Sequence, residues 1–263
     1  MRKKILSTTI DIIAYNLLLK KSENRLTQGK ITLICPIASY TITKAFFSPE
    51  ILHALHLFDF IVPDSQWVRI FINSLFHTTI KERIYGPDLM KKMCALAHEK
   101  HYPIYLYGTT SQTLTRLKHQ LALHFPGLKM GVQRSIFRTL SDTEIDILSQ
   151  KIIKERTKIL FIGIGSPAQE ILAANLKKRF QLKKYGIIII TVGAAFDFIS
   201  GEKPQAPKWI GNIGFEWLFR LWSEPKRLWK RYLILGPLFI LLVLGQSILV
   251  FTTRAYGNTT SKR

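Results

Sequence analysis

Unbroken apolar runs of strand length recur along most of the chain, at ITLICPIAS (31–39), FIVPD (60–64), PIYLYG (103–108), KILFIGIG (158–165) and GIIIITVGAAF (186–196). A strand with one wet face alternates apolar and polar residues, so continuous runs are expected of strands buried on both faces. Between them the period lengthens. SQTLTRLKHQLALHF sets Leu114, Leu117, Leu121 and Phe125 on one helical face, and SDTEIDILSQKII opens with Ser141 and Glu144 at the spacing of a capping box. Strands alternating with helices predict an α/β protein with a largely parallel sheet flanked by helices, and ligands then bind at the carboxyl ends of the strands. The start, MRKKILSTTIDIIAYNLLLKK, is basic, but Asp11 and Asn16 interrupt its apolar stretch and no small-residue cleavage site follows. It reads as an amphipathic or strand-forming element rather than a signal peptide.

The pattern changes after Pro204. Four of the five Trp, Trp209, Trp217, Trp222 and Trp229, gather at or before the basic cluster Lys226, Arg227, Lys230 and Arg231, and Tyr232 to Phe251 then run for twenty residues without a charge. Twenty helical residues reach roughly 30 Å, the thickness of a bilayer's hydrocarbon core. A membrane segment is therefore expected. Gly236, Pro237, Gly245 and Gln246 interrupt the run, so a full span, a bent or re-entrant segment and a buried core helix all stay open. The chain divides on this reading into an α/β core (1–208), a basic Trp-rich helical appendage at the membrane surface (209–231), the hydrophobic segment (232–251) and a polar tail (252–263). Four basic residues precede the apolar run while Arg254, Lys262 and Arg263 follow it, a bias that puts the core on the cytoplasmic face of the plasma membrane.

Charge narrows the partners. The 263 residues carry 38 Lys and Arg against 17 Asp and Glu, a formal net charge of +21 that must face something anionic. Nucleic acid, acidic lipid headgroups and phosphorylated substrates qualify. No zinc-finger spacing, RNP-type aromatic signature or heptad array is present, so nucleic acid is set aside. Cys35 and Cys94 stand far apart and outside any metal-ligand spacing, which excludes a disulfide framework and suits a reducing compartment.

Candidate chemistry lies at the strand ends. FIGIGSPAQE enters a helix through Gly163, Gly165 and Pro167, a turn able to offer backbone N–H groups to a phosphate, or simply a tight turn that starts a helix. Asp64 in FIVPDSQW can act as a general base toward a hydroxyl or cap the helix that follows. Arg83 in KERIYGPDLM has the planar fork that suits a diphosphate, yet by itself it reads equally as a solvated surface residue. No Asp-x-Asp occurs, so the usual carboxylate pair for a metal bridged to a nucleotide diphosphate is missing, and no metal is expected.

Taken in order, PDSQW, ERIYGPDL, PIYLYG, FIGIGSPAQE, VGAAFDFISGEKPQAPKW and GFEWLFRLWSEPKR resemble the TagA/WecG/CpsF family of bacterial glycosyltransferases over roughly residues 31–231. The most specific parts are Gly165, Pro167, Gln169 and Glu170; the block from Phe196 and Asp197 through Gly201 to Ala206 and Pro207; and Glu216, Trp217, Arg220, Glu224, Pro225 and Arg227. The resemblance implies a Rossmann-like core and an inverting, metal-independent transfer of N-acetylmannosamine, its uronic acid or a related hexose. The donor would be a UDP-sugar, with no further cofactor, and the acceptor a polyprenyl-diphosphate-linked saccharide of cell-surface polysaccharide synthesis. It further implies Asp64 as the base, Arg83, Gly165, Pro167, Gln169, Glu170 and Asp197 around the substrate, and Arg220, Arg227 and Arg231 closing over the site on the acceptor's diphosphate. Anionic lipids are the remaining expected partner, and self-association is left open.

The chain departs from the family pattern in several places. Cys35, Pro36 and Ile37 stand where many members have Thr-x-Asn; Ser65 replaces the Gly after the catalytic Asp; Ala168 replaces a Lys and Gln205 an Arg. Two rival functions follow. One is a catalytically silent membrane adaptor on the same fold. The other is a nucleotide-binding oxidoreductase on the Gly163/Gly165 turn, with Asp197 as its ribose carboxylate.

Overall fold

A computed structural model describes residues 1–260. The chain opens with an antiparallel hairpin, β1 (Arg2–Ile5) and β2 (Thr8–Asp11), followed by α1 (Tyr15–Thr27). The core then runs β3 (Thr32–Ile37), α2 (Ser39–Phe47), α3 (Pro49–His56), β4 (Phe60–Pro63), α4 (Gln66–Phe76), α5 (Gly86–Glu99), β5 (Ile104–Gly108) and α6 (Ser111–His124). It continues through β6 (Met130–Gln133), α7 (Asp142–Lys154), β7 (Ile159–Gly163), α8 (Ala168–Leu182), β8 (Ile188–Thr191) and α9 (Ala195–Ile199). Strands β3 to β8 form one six-stranded sheet in the order β4-β3-β8-β7-β5-β6, parallel at every pairing.

The unbroken apolar runs are explained by which side each residue faces. Leu33, Cys35 and Ile37, Leu160 and Ile162, and Ile187 and Ile189 pack into one core. Their neighbours Ile34, Ile159, Phe161, Ile188 and Ile190 pack into another on the opposite face of the sheet. The period of two along a strand puts alternate side chains on opposite faces, and with helices on both faces neither set can be polar. The helical expectations hold as well. Leu114, Leu117 and Leu121 are buried on α6, and Ser141 and Glu144 exchange both bonds of the capping box on α7. GIIIITVGAAF is shorter as a strand than the sequence suggests. Strand β8 stops at Thr191, and Ala195 and Phe196 already belong to α9.

The C-terminal part comprises α10 (Lys208–Asn212), α11 (Glu216–Ser223) and α12 (Pro225–Trp229), then a wide π turn (Lys230–Ile234) that leads into α13 (Leu235–Thr260). Residues Pro225–Ile248 make a helix long and apolar enough to cross a membrane. That helix is not free of the core. Phe239 and Val243 are fully buried in the first core cluster, Phe239 meeting Phe71 of α4 edge-on at 5.7 Å. Gln246 then ties α13 to the hairpin: its Oε1 accepts from the Leu6 N–H at 2.8 Å and its Nε2 donates to the Lys4 carbonyl at 3.1 Å. The opposite side of the helix, Leu233, Leu241, Leu244 and Ile248, is exposed. The apolar run is thus docked on the core through Phe239 and Val243 while most of its length stays open, and it keeps the length and apolar character expected of a membrane span.

Candidate active site

Two cavities open at the carboxyl edge of the sheet. The larger, about 570 Å³, is floored by the ends of β3, β5, β7 and β8 and roofed by Arg220, Arg227 and Arg231. The smaller, about 240 Å³ and mostly apolar, lies between α4, α11 and the start of α13. Ala38, Asp64, Arg220 and Arg231 line both.

Asp64 follows directly on β4, so the sheet places its carboxylate where the cavities meet. Ser65, not Asp64, occupies the N-cap position of α4. Asp64 Oδ1 instead accepts the Gly86 N–H at 2.8 Å, at the opening turn of α5. Burial pushes its pKa above the ordinary carboxylate value, and Glu216 adds to the rise; Arg83, the Gly86 N–H and Arg220 act in the other direction. A carboxylate held above its usual pKa, yet steadied by cations, is suited to accept a proton from a hydroxyl.

Arg83 is neither a solvated surface residue nor a free diphosphate ligand. Its Nη1 donates to the Asp64 carbonyl at 3.3 Å and its Nη2 to Glu216 Oε2 at 2.5 Å, while the guanidinium lies 4.3 Å from the centre of the Tyr85 ring. The Tyr85 hydroxyl donates to the other Glu216 oxygen at 3.1 Å. Arg83 and Tyr85 therefore clamp α11 onto the end of β4 through Glu216.

At the β7 turn the residues part company. Gly163 packs so close to Phe196 that a Cβ would come within 2.6 Å of its ring, and Gly165 adopts φ +88°, so both positions require glycine. Gly165 and Gln169 line the larger cavity. Pro167 does not; it faces a separate hollow beside Glu50, Tyr107 and Arg138. Glu170 is fully buried beneath the floor, where its Oε1 accepts from Ser166 Oγ at 2.8 Å and Gln169 Nε2 at 2.9 Å, with the Cys35 thiol 3.8 Å away. Burial raises its pKa. Glu170 acts on the cavity only through the side chains it holds. Cys35 and Ile37, the departures from the family pattern, are likewise fully buried in the core, and the neighbouring Pro36 and Ala38 line the larger cavity.

The roof has its own wiring. Asp197 pairs with Lys203 at 2.9 Å, Lys203 with Glu224 at 2.8 Å, and Glu224 with Arg227. Asp197 sits on α9 with its charge engaged, which deprives the oxidoreductase reading of its free ribose carboxylate. Arg220 and Arg231 differ from Arg227. Arg220 lies over the Phe198 ring at 5.4 Å and pairs with no carboxylate among the described residues. Arg231 is held between Tyr40 and Tyr232, at 4.7 and 5.7 Å, and its buried Nε has no hydrogen-bond partner among the described residues. Two cations that repel each other beside a cavity, short of hydrogen-bond acceptors, make a site for an anion.

Comparison with known proteins bears on what that anion belongs to. Residues 3–251 match the family described as Glycosyl transferase WecG/TagA/CpsF family, nearly the whole chain. The chain belongs to this family. It is also similar to the N-acetylglucosaminyldiphosphoundecaprenol N-acetyl-beta-D-mannosaminyltransferase of Bacillus subtilis (strain 168), with 28% identity over 191 residues, 72% of this chain and 69% of that protein.

In this member of the glycosyltransferase family, several residues of the site carry no assigned role in the sequence. Glu216 is visible in the motif but carries no assigned role there, and the packing gives it one as the partner of Arg83 and Tyr85. Tyr40, Tyr85 and Lys203 had no signal of spacing or charge that marked them, since each matters only through what it touches across the fold. Among the described residues no group of three or more His, Cys, Asp or Glu is placed to hold a metal ion.

Proposed function

We propose that the protein transfers N-acetylmannosamine, or a closely related hexose, from a UDP donor to a hydroxyl of a saccharide carried on polyprenyl diphosphate. The position of Asp64 at the junction of the two cavities, beside Arg220 and Arg231, carries this reading. The relative from Bacillus subtilis is named for an N-acetyl-beta-D-mannosaminyl transfer onto N-acetylglucosaminyldiphosphoundecaprenol, and the arginine pair suits a diphosphate of that kind.

The donor occupies the larger cavity with its diphosphate toward the Gly165 turn and the Lys203 and Arg227 side of the roof. The acceptor hydroxyl reaches Asp64 from the other side. Its oxygen bonds to the anomeric carbon as the bond from that carbon to the UDP oxygen breaks, and the hydroxyl proton passes to Asp64. A single displacement inverts the anomeric centre, turning an α-linked UDP-sugar into a β-linked product. Backbone donors and the cations of the roof offset the charge on the departing UDP, with no metal required. The exposed Trp222 and Trp229, Lys226, Lys230 and the outer ridge of α13 hold the site against an anionic membrane, on its cytoplasmic face.

The test is incubation of the purified chain with UDP-N-acetylmannosamine and N-acetylglucosaminyl-diphosphoryl lipid. Release of UDP with formation of a β-linked disaccharide is expected. A retained anomeric configuration, or transfer only from another nucleotide's sugar, overturns the reading.

A further inference from the structure

We propose that the apolar cleft between α4 and the first turns of α13 binds the isoprene units next to the acceptor's diphosphate, so that the C-terminal helix supplies one wall of a lipid-binding site. This inference rests on the glycosyl-transfer reading above and adds a site to it. The cleft is lined by Trp67 on one side and by Trp217, Tyr232, Pro237, Phe239 and Ile240 on the other, surfaces that offer an occupant little but apolar contact. It joins the larger cavity at Asp64, Arg220 and Arg231, which line both.

That junction settles the direction of the chain. A diphosphate placed on Arg220 and on the unpartnered Nε of Arg231 has its saccharide on the Asp64 side. The hydrocarbon on its other side must leave through one of the two cavities, and only one is predominantly apolar. Leu233 both lines this cleft and is 55% exposed at its edge, and the stripe Leu233, Leu241, Leu244 and Ile248 continues outward along α13. A prenyl chain can therefore run from the arginines to the bilayer without crossing polar surface, which removes most of the cost of lifting it from the membrane.

Gly236 provides the means to test this. It lines the cleft, and a Cβ there would meet only the Arg231 carbonyl oxygen, at 3.9 Å, so a large side chain at this helical position has room to fill the cleft. Transfer is measured with the full-length wild type and Gly236→Trp, using acceptors that carry the same diphosphoryl saccharide on an ethyl or a geranyl group. For the wild type, the geranyl acceptor should show a KM at least about tenfold below the ethyl one, the gain expected when a few methylene-sized groups are buried. Gly236→Trp should abolish that difference by raising the geranyl KM to the level of the ethyl one. Equal KM values for the two acceptors in the wild type, or equal impairment of both in the variant, overturn the lipid site alone. Transfer to neither acceptor by the wild type overturns the glycosyl-transfer reading as well.

A second measurement is independent of turnover and of how well the variant folds. A diazirine-bearing geranyl diphosphate, photolysed with the wild type, should label residues 232–240 or Trp67; labelling confined to other segments overturns the site. If light scattering finds that Gly236→Trp converts a dimer to a monomer, the cleft belongs to a contact between copies and the proposal fails.

Discussion

Asp64, Gly165 and Gln169 reach the site directly from the sheet, each within a few residues of a strand end, whereas Glu216, Arg220 and Arg231 are brought there by helices beyond the last strand. The first group is placed by backbone pairing, with β3, β4, β7 and β8 in fixed parallel register. The second group depends on side chains. Glu216 clamps to Arg83 and Tyr85, Phe239 and Val243 enter the core, and Gln246 grips the hairpin. The sheet half is rigid by construction. The helical half is only as firmly placed as its few docking contacts, and it is the half that would meet a lipid substrate.

The largest effect should come from the sheet half. Asp64→Asn should lower kcat by on the order of 10² to 10⁴, the contribution of a positioned general base. Its melting temperature should not fall. Burial holds the folded-state pKa of Asp64 above its unfolded value, so protonated Asp64 favours folding below the unfolded pKa and that advantage is lost as pH rises through the folded pKa. The stability of the variant relative to wild type should therefore rise across that window and stay level above it, as seen by thermal melts at several pH values. Turnover by the wild type should fall with acid at a pH above the usual carboxylate range, because the base must be ionised. A variant that melts lower and turns over normally would return Asp64 to a structural role.

The helical half should respond next. Glu216→Gln keeps a bond to Tyr85 but leaves the Arg83 cation without its partner. Breaking a buried pair from one side costs about 3 kcal/mol at the lower end of the usual range, which applies here because the side chains keep 18% and 14% exposure. Displacing α11 should also cost on the order of 10² in transfer, since small misplacements of positioning groups are expensive. If melting drops while kcat/KM for the short acceptor is unchanged, the clamp is a fold contact only.

Gln246→Leu should be milder. It removes two hydrogen bonds between α13 and the hairpin, a loss of about 1–2 kcal/mol. Faster hydrogen exchange at Leu6, with turnover on the short acceptor intact, is the expected result; unchanged exchange would mean that Phe239 and Val243 alone hold the helix. Smallest of all, EDTA should leave transfer unaltered, as no group of three or more His, Cys, Asp or Glu among the described residues is placed to hold a metal ion. A strict metal requirement would mean that the diphosphate lies elsewhere.

Much of the catalytic domain was legible in the sequence because its information is local. Continuous apolar runs reported strands buried on two faces, the capping box reported the start of α7, and the turn glycines lie where the backbone requires them. Residues of one motif can nonetheless diverge in space. Gly165, Pro167, Gln169 and Glu170 are near neighbours in the chain, yet Pro167 faces another hollow and Glu170 lies under the floor. Helical rotation separates what the sequence places together, and the direction of each side chain follows from packing rather than order.

The sequence by itself determined the parallel α/β architecture, the apolar and basic character of the C-terminal part and the position of Asp64 at a strand end, since each depends on residue type and short-range periodicity. Tertiary structure alone decided that Arg83 is spent on Glu216 while Arg220 and Arg231 are not, because pairing is a matter of which charges meet across 133 residues of chain. It also decided how the apolar run is used. Hydropathy sums the residues of a helix without regard to face, so it cannot separate the side bearing Phe239, Val243 and Gln246, which packs on the protein itself, from the side that stays exposed.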